Sequence, residues 1–216
     1  IISCVYPRTC VNWILENQKY MKSGAYLSDI SGVKANVVEP IQTSLRKDLE
    51  FVPAHPMCGR ELRGVVYANT EMIKGANFIL TPTEKNSEEA VSFFVEFAKE
   101  LGFGKISRLT CEEHDRMIAY VSQLTHAIAV SLMNASENPQ INEYTGDSFR
   151  DLTRIAKINE QMWSELFIGN KQNLIREIDA FQMELSSLKQ AIEDEDYAEL
   201  KEKFIQSTQR RIQFDR

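Results

Sequence analysis

The chain has 216 residues, 43% hydrophobic and 26% charged, with a formal net charge of -6. This is the composition of a globular protein with a real core, and the negative balance excludes binding to nucleic acid through a broad basic surface. No apolar run approaches the roughly 20 residues of a membrane helix, and no basic segment followed by an apolar one marks a secretory signal.

The chain opens on Ile1–Tyr6, which reads as a buried strand with no start or turn before it. A parallel strand needs neighbours on both sides, so the sequence reads as beginning inside a domain. An amphipathic stretch follows over Cys10–Met21 and stops at Gly24, and Ala25–Ile30 reads as a second strand. A helical stretch over Val37–Leu49, interrupted by Pro40, leads to a third strand, Phe51–His55. Alternating strand and helix is the pattern of a parallel sheet with right-handed crossovers, whose ligands bind beyond the carboxyl ends of the strands. That rule places Pro7, the Asp29–Ser31 turn and His55 on one rim.

A fourth strand, Asn77–Thr81, precedes a helix capped by Asn86 or Ser87 and stopped by Gly102. A short strand, Lys105–Leu109, closes the α/β part. Gly102-Phe103-Gly104 is a lone G-x-G at a helix end, so it reads as a stop and turn, not a phosphate loop. From Thr110 onward the chain is helical. Thr110 and Glu113 form a capping box at the head of a helix running to about Ala135. Leu174, Ile178, Phe181, Leu185, Leu188 and Ile192 then recur at spacings of 4, 3, 4, 3 and 4, a bundle or coiled-coil seam. The fold class expected is a partial Rossmann-like α/β part over residues 1–109, followed by an all-α helical domain over 110–216. The seam carries more apolar face than one short bundle buries, so dimerisation through it is expected; packing against the α/β part is the alternative.

The four cysteines, Cys4, Cys10, Cys58 and Cys111, are scattered, without C-x-x-C pairs or zinc spacing. They read as free thiols of a reducing cytoplasm, with no metal site. The three histidines stand in more informative places. His55, at a strand end, can accept a proton from a substrate hydroxyl near neutral pH; a hydrogen-bonded structural histidine is the alternative. His114, Ser122 and His126 fall within about 120° of one helix face at roughly 100° per residue; a solvated face is the alternative, although such a face usually carries Lys and Glu. Arg150 and Arg154 can clamp a carboxylate bidentately. Arg150, near Asp147 and Asp151, reads as a surface ion pair, while Arg154 lies in an apolar setting beside Ile155.

Four blocks then occur in one order: Ser28-Asp29-Ile30-Ser31-Gly32-Val33-Lys34, His55-Pro56-Met57-Cys58-Gly59-Arg60-Glu61, His114-Asp115 with Val121-Ser122-Gln123-Leu124-Thr125-His126, and Phe149-Arg150-Asp151-Leu152-Thr153-Arg154-Ile155-Ala156. Over residues 1 to about 190 the chain resembles the prephenate and arogenate dehydrogenases of tyrosine biosynthesis. The resemblance implies NAD(P)-dependent oxidative decarboxylation of a dicarboxylate substrate, with His55 as hydrogen-bond partner or base at the ring hydroxyl. It implies Arg154 on a substrate carboxylate, and His114, Ser122, Gln123, His126, Glu61 and Ser31 around the pocket, with Trp163 contributing across a dimer interface; a core aromatic is the alternative for Trp163. Pro7, Asp29 and Ser31 would form part of a cofactor site for NAD or NADP whose glycine-rich loop is absent from residues 1–216. Many members have a serine where Gly32 stands, a histidine at Gln123 and a proline at Thr125. Two other functions compete: a non-enzymatic dimerisation and ligand-binding fragment, and a β-hydroxyacid dehydrogenase, which more often uses a lysine than a strand-end histidine.

Overall fold

The computed structural model describes residues 1–59 and 64–215. The chain forms two compact units, Ile1–Leu174 and Ile175–Arg216. In the first, β1 (Ile2–Ser3), β2 (Tyr26–Asp29) and β3 (Glu50–Phe51) run parallel in the order β1-β2-β3. α1 (Pro7–Asn17) and α2 (Ala35–Ser44) are their crossovers. α1 starts on Pro7, whose missing N–H costs nothing at a helix start.

The expected third strand, Phe51–His55, is two strands. β3 ends at Phe51, and β4 (Ala54–Pro56) pairs antiparallel with β5 (Asn77–Leu80), which pairs parallel with β6 (Lys105–Arg108). Pro53 separates the two, having no N–H to donate to a ladder. His55 therefore sits inside β4 opposite Ile79, not at the carboxyl end of a parallel strand.

Alternation along the strands covers both faces of the sheet. Leu27 and Phe51 pack with Cys10, Ile14, Val37 and Ile41 of α1 and α2. Val52 and Ala54 pack on the other side with Val91, Phe94 and Ala98 of α3 (Glu88–Glu100). Successive strand residues point to opposite faces, which is why Ala54 enters that core and His55 does not. The Ser87 hydroxyl caps α3 by accepting from the Ala90 N–H. The stop reading of Gly102-Phe103-Gly104 holds for a geometric reason: Gly102 has φ +91°, and a Cβ on Gly104 would lie 2.8 Å from the Gly75 backbone.

The capping box of Thr110 and Glu113 is formed at the head of α4 (Cys111–Ile118). The single helix expected to Ala135 is divided, because Ala119–Leu124 is a π-helical turn before α5 (Thr125–Asn134). Such turns have i→i+5 bonds and shift the register of everything after them, so the even 100° step no longer relates His114 to His126. α6 (Asp147–Thr153), a 3-10 turn (Arg154–Ala156) and α7 (Glu160–Gly169) follow, with that turn packed on α5.

α8 (Lys171–Glu193) runs on into the second unit, a helical hairpin completed by α9 (Tyr197–Ile212). At its tip Glu195 takes φ 53°, and Asp196 caps α9 by accepting from the Ala198 and Glu199 N–H groups. Among the described residues no helix is long and apolar enough to cross a membrane.

Candidate active site

A line of hydrogen bonds joins β4 to α4. The ring nitrogens His55 Nδ1 and His114 Nε2 are 2.8 Å apart, and His114 Nδ1 lies 2.8 Å from Asp115 Oδ1. The Asp115 carboxylate also accepts from two backbone N–H groups at the start of α2, Lys34 at 2.8 Å and Ala35 at 2.9 Å. The free donors of a helix N-terminus suit an anion, so α2 anchors this end of the line.

Beneath it lies a second buried group. Lys34, 0% exposed, places Nζ 2.7 Å from Asp29 Oδ2 and 2.5 Å from the Ala54 carbonyl. Asp29 accepts in addition from Ala54 N at 3.1 Å and Ser31 N at 3.0 Å. Every oxygen of Asp29 is thus engaged inside the protein, a buried ion pair with the hydrogen bonds such a pair needs. Burial, the Lys34 ammonium and the adjacent His114 ring together push the His55 imidazolium well below its ordinary pKa. His55 is therefore neutral at neutral pH, with a nitrogen lone pair to offer.

The remaining expected residues separate into groups. His114 is 0% exposed, enclosed between His55 and Asp115. Gln123 is buried and donates to the Leu166 carbonyl while its own oxygen accepts from Asn170 Nδ2. Both polar ends of Gln123 are thus taken up in joining the π-helical turn to α7. Ser122 and His126 are half-buried, and His126 Nδ1 donates to the Ser122 carbonyl at 2.8 Å. His126 stacks on Trp163 of its own chain, ring centroids 3.7 Å apart. Arg154 stands in the exposed turn against α5, the helix that carries His126. Arg150 pairs with Asp147 at the surface. Glu61 lies outside the described residues.

On the rim, Pro7 lines a cavity of about 220 Å³ with Val33, Glu165 and Ile168. Ser31 Oγ is buried with no hydrogen-bond partner. Buried hydroxyls are normally paired, so this orphan beyond the end of β2 fits a polar group of a bound dinucleotide. Asp29, also expected there, has both carboxylate oxygens engaged within the protein. A larger cavity, about 820 Å³, opens between α2 and the starts of α4 and α8 and reaches Asp115; neither cavity is lined by His55.

Two residues that matter here received no role from the sequence, Lys34 and Asp115. Both had a signal. Lys34 lies among Val33, Val37 and Val38, where a lysine is buried only if paired. Asp115 directly follows His114, close enough for a carboxylate to reach an imidazole.

A parallel sheet that binds a nucleotide at its rim, with a histidine facing a helical domain, is the arrangement of a nucleotide-dependent dehydrogenase. Residues 1–106 match the family model for the nucleotide-binding domain of prephenate dehydrogenase, and residues 110–206 match that for its dimerization domain. The chain belongs to the prephenate dehydrogenase family. It is 30% identical over 199 residues to the cyclohexadienyl dehydrogenase of Zymomonas mobilis, covering 89% of this chain and 67% of that one. It is also 30% identical over 175 residues to the prephenate dehydrogenase of Bacillus subtilis, covering 79% of this chain and 47% of that one. The crystal structure of Aquifex aeolicus prephenate dehydrogenase in complex with hydroxyphenyl propionate and NAD+ superposes with a TM-score of 0.90 at 29% identity, covering 99% of this chain and 75% of that one.

Proposed function

We propose that these residues serve the oxidative decarboxylation of prephenate, or of its amino counterpart arogenate, in the making of tyrosine in the cytoplasm. The observation that carries the reading is the neutral histidine of β4, held from behind by buried partners on the helical side. His55 takes the proton of the ring hydroxyl. Ser31 and the start of α1 at Pro7 would hold part of NAD(P)+, which when bound would supply the acceptor for the hydride leaving the same carbon. The carbon–carbon bond to the ring carboxylate then breaks, CO2 leaves, and the proton returns from His55 to the phenolate oxygen. Atoms and charge balance without a proton lost to water. Aromatisation drives the step, so the protein supplies mainly orientation and one base.

Arg154 holds a substrate carboxylate, with His126, Ser122 and Trp163 on the same helical side. Arg154→Ala is expected to raise KM about 10- to 100-fold with little change in kcat, the worth of hydrogen bonds to a charged partner. The direct test follows NAD(P)H absorbance of the full-length parent protein with prephenate and arogenate, each offered with NAD+ and NADP+. No turnover with any pair would sink the enzymatic reading in favour of a ligand-binding protein.

The same reading makes the protein a homodimer. In the hairpin unit Phe181, Leu185 and Ile192 of α8 and Phe204, Ile205 and Ile212 of α9 are exposed, an apolar surface that a second copy would cover. The match to a dimerization domain supports this occupant. Light scattering should show a dimer that the double substitution Leu185→Glu/Phe204→Glu converts to monomer; a monomeric parent at micromolar concentration would refute it.

A further inference from the structure

We propose that His114 and Asp115 are positioning residues that lock His55 in one tautomer and store its extra proton until the product needs it. This rests on the dehydrogenase reading and adds to it the way the base is set. A carboxylate only accepts, so His114 Nδ1 donates to Asp115 Oδ1. The neutral His114 ring then has an acceptor at Nε2, and the 2.8 Å contact requires that His55 Nδ1 carry the hydrogen. That leaves the lone pair of His55 on Nε2, the nitrogen not engaged with His114. Without this arrangement the ring could place its proton on either nitrogen, and one of the two choices is useless as a base.

The line does more than orient. When His55 Nε2 takes the hydroxyl proton, the N–H bond at His55 Nδ1 can break as one forms at His114 Nε2. The positive charge then rests on the ring beside the Asp115 carboxylate. When CO2 leaves, both shifts reverse, and the proton goes back to the same substrate oxygen. A buried store suits this chemistry because the proton is needed again within the same turnover. The charged groups around the pair are Lys34 and Asp29 beneath β4 and Asp115 on α4; Lys34 opposes a charge on His55, and the Asp115 carboxylate lies 2.8 Å from His114 Nδ1. A side chain at residue 32 would come close to this pair, since a Cβ there would lie 3.8 Å from His55 Cε1. Gly32 offers no hydroxyl, and Ser31 Oγ makes no bond to His55, so the support comes from α4.

The first test needs no variant of the pair. With only three histidines, protein labelled with 15N-histidine gives few ring-nitrogen signals, assignable through His126→Gln and His55→Gln. At pH 7 the unprotonated nitrogen of His55 should be Nε2; finding it at Nδ1 overturns the proposal. In turnover, His114→Leu should lower kcat at least about tenfold, short of the 10²–10⁴-fold for losing a base, with KM within twofold. His114→Gln, which keeps an acceptor for His55 Nδ1 but cannot store a proton, should restore the tautomer and recover only part of kcat. Full recovery in His114→Gln overturns the proton store and leaves only the orienting role. Failure of the parent protein to oxidise either substrate refutes the dehydrogenase reading, while the nitrogen spectrum still judges the tautomer.

Discussion

His55→Asn is expected to lower kcat/KM by about 10²–10⁴-fold while the protein stays folded and KM changes little, the usual effect of removing a general base. The side chain is half-buried at the edge of the core, so the loss falls on chemistry more than on packing. The pH profile should carry the signature of its setting. A base acts when deprotonated, and the His55 pKa is depressed by burial, by Lys34 and by His114. The acid limb of kcat/KM should therefore lie below the ordinary histidine value of about 6.5. Stability follows the same sign. The folded pKa lies below the unfolded one, so this contribution is complete above about pH 6.5 and is lost as pH falls towards the folded value. A limb at or above about 6.5 in the parent, or one that persists in His55→Asn, would remove His55 from the role.

Lys34→Met should be the most destabilising single change, costing about 3–5 kcal/mol because it leaves the Asp29 carboxylate buried without its cation. In a chain of this size that corresponds to a fall in Tm on the order of 10 °C. The Ala54 carbonyl loses its donor as well: the bonds of the ammonium run to Asp29 at 2.7 Å and to the Ala54 carbonyl at 2.5 Å, tying β2 to β4 directly below His55. Neutralising both partners in Lys34→Met/Asp29→Asn should recover part of the loss, and urea denaturation of the four proteins in a double-mutant cycle measures the coupling. A cost below about 1 kcal/mol for the single change would place the pair among weakly contributing surface ion pairs. Because Lys34 also disfavours a charge on His55, the acid limb should move to higher pH in any Lys34→Met protein that remains folded. The two expectations share one cause, since the charge that holds the strands together also keeps the base neutral.

Much of the fold was legible residue by residue because its signals are local. Ser87, Thr110 with Glu113, and Gly102 mark helix ends through bonds and dihedrals that span three or four residues. The apolar alternation around Leu27 and Phe51 marks strands covered on both faces. The four blocks carried the family, and among them His55 stood out. The split at Pro53 was missed although the proline was visible, because a continuous apolar run does not tell which neighbour each half will pair with. The π-helical turn was missed because the hydrophobic period of Met117, Val121, Leu124 and Ile128 is satisfied equally by an unbroken helix.

The sequence by itself determined the alternation of strand and helix, several helix caps and the family, and it singled out His55 as the candidate base. Only the tertiary structure decided which groups surround that histidine. His55 and His114 are 59 positions apart, and Lys34 and Asp115 are 81 apart, yet each pair is joined by a 2.8 Å hydrogen bond. It also drew Asp29 and Gln123 inward, where their polar atoms complete buried networks. The physical reason is that helix and strand patterns arise from short-range periodicity, whereas a buried polar group takes whatever partner packing brings to it, at a cost too high to leave it without one.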